Sequence, residues 1–101
     1  MQTLILPGVS LKNKDWAEAM QSELKPLETI VAYWPHWETG KQEPNWIEFE
    51  AKKIIDRAEV VNILAKSAGT AVAMVVLKLK PELVNDILPR PYGRGFLFAF
   101  G

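Results

Sequence analysis

The stretch Val60-Val61-Asn62-Ile63-Leu64 runs without a break into Ala65-Lys66-Ser67-Ala68-Gly69-Thr70-Ala71. The first part is apolar except at Asn62, the pattern of a central parallel strand covered by helices on both sides. The second part opens a helix predicted from Ala68 to Lys80 and stopped by Pro81. A strand that enters a helix with almost no loop brings the two backbones nearly into contact. Small residues are then required before and after the turn. Ala65 and Gly69 stand two before and two after Ser67. The serine is thereby held out at the C-terminal edge of the sheet, over the free N–H groups and positive dipole end of the helix.

The rest of the chain fits around that junction. Leu4-Ile5-Leu6 reads as a buried strand stopped by Pro7-Gly8. Asn13 is placed to cap a helix running to about Leu24, with Trp16, Met20 and Leu24 on one face and Pro26 behind it. Thr29 to Trp34 is β-branched and aromatic and predicts a second strand. Pro35 to Pro44 reads as a polar loop. Asn45 and Glu48 have capping-box spacing before a helix that buries Ile47, Ala51, Ile54, Ile55 and Ala58. Strand and helix thus alternate three times, which predicts an α/β three-layer sandwich with a short, mostly parallel sheet and right-handed crossovers. Leu83 to Leu88 suits either a short helix or a strand. Pro89 to Gly95 is a turn-rich break before an apolar run, Phe96 to Phe100, that could form a last strand.

Composition narrows the functions such a domain can have. With 101 residues, about half of them apolar, the chain is expected to form one domain over residues 1–101, with a modest core and residues 89–101 of open role. The formal net charge is zero, which offers no electrostatic case for nucleic acid or for an anionic membrane. The longest apolar run, Ala71 to Leu77, is far below a membrane span. Cysteine is absent, so neither disulfides nor thiolate chemistry is expected. One histidine among scattered carboxylates lacks metal-ligand spacing, and no metal or cofactor is expected. A cytoplasmic protein is the expectation. Lys66-Ser67 matches the end of a phosphate-binding loop, but an apolar strand occupies the place of its glycines. Arg94 to Phe100 partly matches an aromatic RNA-binding strand, with Leu97 where a small residue belongs.

The segment around Ser67 resembles the nucleophile elbow of the α/β-hydrolases, whose pattern is G-x-S-x-G between a strand and a helix. Ala65 stands at the first glycine and Gly69 at the second. Pro7-Gly8-Val9 resembles the oxyanion-loop position of that family, without its His-Gly or multi-glycine form. Trp16 and Lys66 resemble the small cytosolic predicted hydrolases of the family. The resemblance covers about residues 3 to 88 and implies a truncated α/β-hydrolase-like fold. It also implies the N-terminal half of that family's domain, with the first and third strands as neighbours and the second outside the first. Ligands would then bind in the crevice between the Gly8 and Ser67 loops. The implied chemistry is acyl transfer from a small-molecule ester or acyl substrate. Ser67 would attack, and the N–H of Ala68 with that of Gly8 or Val9 would hold the oxyanion.

A serine nucleophile needs a base, normally a histidine oriented by a carboxylate. Downstream of Ser67 the sequence offers the acids Glu82 and Asp86 and no histidine. His36 lies upstream, on a loop at the same sheet edge but one strand further out. It reads as a loop histidine that, with Trp34, Trp37 and Lys66, could line a pocket. The expectation is therefore an esterase-like, incomplete hydrolase with little or no turnover alone. The alternative is a non-catalytic module acting through association, including self-association at an open sheet edge.

Overall fold

In a computed structural model, residues 1–88 are described in full, and residues 91–92 and 95–96 as backbone. The elements run β1 (Thr3–Leu6), α1 (Asn13–Glu23), β2 (Thr29–Val31), α2 (His36–Thr39), α3 (Trp46–Asp56), β3 (Val61–Ala65) and α4 (Ala68–Leu79). A single 3-10 turn, Pro81–Leu83, leads into β4 (Val84–Leu88). Strands β1 to β4 form one sheet in the order β2-β1-β3-β4, parallel throughout. Two-residue segments β5 (Pro91–Tyr92) and β6 (Gly95–Phe96) pair antiparallel in a separate ladder. The rest of the expected last strand, residues 97–100, lies outside the described residues.

The strand order explains where the helices lie. From β1 the chain steps outward to β2, then crosses back over β1 to β3 and on to β4. With right-handed crossovers, reversing the direction of travel moves the connecting helix to the other face. Among the described helices α1 accordingly takes one face, where Ala17, Trp16, Met20 and Leu24 pack on Ile5, Val31 and Leu64. Helices α3 and α4 share the other face. There Trp46, Ala51 and Ile54 meet Val72, Ala73 and Val76 over Leu4, Leu6, Ile63 and Ile87. Alternate residues of β1 point to opposite faces, as the two-residue period of a strand requires. The larger core lies under two helices and also takes in Trp34, which is 1% exposed.

Several local expectations are corrected. The second strand ends at Val31, because the chain turns Trp34 into the core. The loop expected from Pro35 to Pro44 contains α2, closed by Gly40 at φ 73°. Neither Asn13 nor Asn45 caps with its side chain. The Asn13 amide instead donates to the Ser10 carbonyl at 3.1 Å. Ala58 is not on the buried stripe of α3. The helix ends at Asp56, and Ala58 is exposed with φ 54°, the left-handed position that often follows a helix. Residues 84–88 are strand, which resolves the ambiguity over that segment.

Candidate active site

Strand β3 ends at Ala65, Lys66 makes the turn, and α4 begins at Ala68. Ser67 between them has φ 52° and ψ −121°. This lies away from the left-handed helical well and in a region that side-chain-bearing residues rarely occupy, at a cost of about 1–3 kcal/mol. The turn is held from three sides. The Lys66 N–H donates to the Leu6 carbonyl at 3.0 Å, and the N–H groups of Gly69 and Thr70 donate to the carbonyls of Lys66 and Ser67, each at 2.9 Å. The Leu6 carbonyl also closes the space beside Gly69. A β-carbon there would overlap the Leu6 carbonyl and lie 2.8 Å from the Pro7 oxygen. Glycine is therefore required at position 69 by backbone approach rather than by its own dihedral angles.

Ser67 is exposed, and its side chain makes no capping hydrogen bond to α4. The first N–H of the helix, on Ala68, is one of the donors a helix start leaves unmatched. Because α4 abuts the end of β1, the loop Pro7–Gly8–Val9 lies beside this turn. Gly8 is buried, with the Asn13 side chain within 2.8 Å of the position its β-carbon would take.

The loop is fastened by ring N–H donors from the segment after β2. Trp34 Nε1 donates to the carbonyls of Pro7 and Gly8, at 3.2 and 3.1 Å. The Val9 carbonyl accepts from Trp37 Nε1 at 2.8 Å and from His36 Nε2 at 2.9 Å. A carbonyl oxygen can only accept, so His36 carries its proton on Nε2. The ring edges also meet one another. Trp46 lies 5.2 Å from Trp34 and 5.1 Å from His36, centroid to centroid, both edge-on.

This changes the expected pocket. Trp34 is sealed in the core rather than lining a pocket beside Ser67. Lys66 stacks its ammonium over Trp16, 5.1 Å from the ring centroid. His36 does line a groove of about 320 Å3, with Pro35, Lys41, Trp46, Phe49 and Glu50, but Ser67 is not on its wall. Neither downstream acid stands at the sheet edge of Ser67. Glu82 is in the 3-10 turn, and Asp86 lies within β4, opposite Asn62 of β3. Among the described residues, no three His, Cys, Asp or Glu side chains converge where a metal could bind. Among the same residues, no helix is long and apolar enough to cross a membrane.

Sequence reasoning grouped Trp34, His36 and Trp37 at this edge but missed their hydrogen bonds to the Pro7–Val9 carbonyls. Their signal was Trp34-Pro35-His36-Trp37, three ring N–H donors within four residues at a strand end. Comparisons with family models, with curated proteins and with solved structures found no match to the chain.

Proposed function

We propose that this protein is a cytoplasmic serine acyl hydrolase of the α/β-hydrolase kind, with Ser67 as the acyl acceptor for small esters or acyl compounds. The observation that carries the reading is the Ser67 backbone, φ 52° and ψ −121°, at a turn packed so closely that Gly69 tolerates no side chain. Strained backbone of this kind clusters at active sites, where the surrounding structure holds a side chain in place for chemistry. In the reaction, Ser67 Oγ forms a bond to the acyl carbon. The alcohol oxygen leaves with the bonding electron pair and takes up a proton, and the Ser67 proton passes to a base.

These 101 residues hold a single histidine, and its Nε2 is engaged at Val9. Among the described residues no side chain is placed as a base at Ser67, so acyl transfer is expected to be slow, and engineering the nucleophile tests the site better than assaying turnover. The chain has no cysteine, so Ser67→Cys introduces a unique thiol that ionises without a base. Its rate of acylation by 4-nitrophenyl acetate, divided by its rate of alkylation by iodoacetamide, is compared with the same ratio for Ser22→Cys, at an exposed position of α1. Acylation develops an oxyanion and alkylation does not. The ratio is expected to be at least about tenfold higher at position 67, given that one oxyanion donor can contribute a hundredfold or more. Equal ratios at the two positions would refute the proposal.

A further inference from the structure

Resting on that reading of Ser67, we infer that Trp34, His36 and Trp37 are positioning residues that aim the N–H groups of Val9 and Ser10 at the developing oxyanion. A trans peptide group is planar, with its C=O and N–H on opposite sides. The only cis peptide among the described residues is at Lys25–Pro26, so the loop peptides are trans. The Pro7 and Gly8 carbonyls are turned toward Trp34, and the Val9 carbonyl toward His36 and Trp37. The N–H groups on the far side of those same peptides belong to Gly8, Val9 and Ser10, so all three are turned away from the rings. None of them donates to an acceptor among the described residues. The Pro7 oxygen also lies against Gly69 in the first turn of α4, so the Gly8 N–H faces away from that turn, and the donors this leaves to an oxyanion are those of Val9 and Ser10.

Rings suit this task. A loop containing glycine has many accessible conformations, and a row of aligned N–H groups is only one of them. Each ring has two side-chain torsions to fix and brings a rigid donor at little entropic cost. The rings are themselves held. Trp34 is in the core, and Trp34 and His36 both meet the edge of Trp46 on α3. Rigidity therefore passes from α3 through the rings to the loop. His36 acts here through its N–H on Val9, not as a base on Ser67.

The test uses the Ser67→Cys protein, in which the thiolate sulfur bonds to the acetyl carbon. The 4-nitrophenolate leaves with the bonding pair, and the thiol proton has already gone to buffer. Adding Trp37→Phe, which keeps a ring but removes its N–H, or His36→Leu is expected to lower the acylation rate about tenfold, a fraction of what loss of a whole oxyanion donor costs. Alkylation by iodoacetamide is expected to stay unchanged, and His36→Gln, which keeps a side-chain N–H, to restore much of the loss. An acylation rate that does not move, or that falls in step with alkylation, would overturn the inference while leaving the higher ratio at position 67 intact. If that ratio is not raised at all, the underlying reading of Ser67 fails instead. A second measurement then still decides the positioning claim. Backbone order parameters of Gly8, Val9 and Ser10 are expected to fall from about 0.85 toward 0.6 when His36→Leu and Trp37→Phe are combined. Unchanged order would refute it.

Discussion

The turn after β3 and the loop after β1 lie against each other, yet they are held in different ways. The Ser67 turn is fixed by contact between backbones. Gly69 fits against the Leu6 carbonyl only because it has no side chain, and the determining residues are immediate neighbours of the serine. The Pro7–Val9 loop is fixed by side chains from a distant segment, with donors 26 to 28 residues away in sequence. A turn of the first kind tolerates almost no change at its small positions. A loop of the second kind can lose one donor and keep the others, so its response to substitution should be graded.

That contrast can be broken at either end. The largest effect is expected from Gly69→Ala, where the new β-carbon meets backbone that cannot swing aside. A loss of more than about 3 kcal/mol in urea unfolding is expected, beyond ordinary overpacking of a core. A loss under 1 kcal/mol would mean that α4 slides easily on β1 and that the turn is not sterically fixed. Next comes Trp34→Phe, which leaves the Pro7 and Gly8 carbonyls without their donor and the core short of volume. A thermal unfolding series should show about 2–4 kcal/mol of destabilisation. Smaller and opposite in sign is Ser67→Gly, which relaxes the dihedral strain and should stabilise the fold by about 1 kcal/mol. Ser67→Ala keeps the strain and should not stabilise it. Equal stability of the glycine and alanine variants would remove the case for strain at Ser67.

The smallest effect concerns an exposed neighbour of the ring cluster, Tyr33, whose hydroxyl donates to Glu18 at 2.9 Å. That hydrogen bond, with lesser contributions from burial and the Glu18 charge, holds its pKa above the ordinary 10.0. A raised folded-state pKa means that the stabilisation is complete below pH 10.0 and is lost as pH rises through the raised value. The melting-temperature difference between wild type and Tyr33→Phe should be small, because water screens the pair, and should shrink toward zero in alkali. A difference that grows with pH would contradict the assignment.

The same contrast explains what could be read from the chain alone. The Ser67 junction was legible because a hydrophobic strand, two small residues and a helix follow one another without a gap. The parallel α/β architecture followed from the alternation of those patterns. Ring N–H donors on far carbonyls leave no such mark, since indole and imidazole fit a covering role over a sheet edge as readily. The short helix α2 was hidden by the turn-forming prolines and glycine around it. Ala58 was misplaced because the helical spacing continues from Ile54 while the backbone does not. The helix stops at Asp56, and position 58 crosses into positive φ.

The closeness of the rings that grip the Pro7–Val9 loop also gives the protein optical properties of its own. Trp34 lies 5.2 Å from Trp46 and 6.5 Å from Trp37, centroid to centroid, with the planes inclined at 62° in both pairs. Indole transitions at such separations and inclinations couple into exciton pairs, whose signature is expected in the circular dichroism on top of that of the helices. Slackening of the rings is expected to change that signature even where the backbone signal stays the same. Without dye or label, the chain reports on the state of its own loop in ultraviolet light.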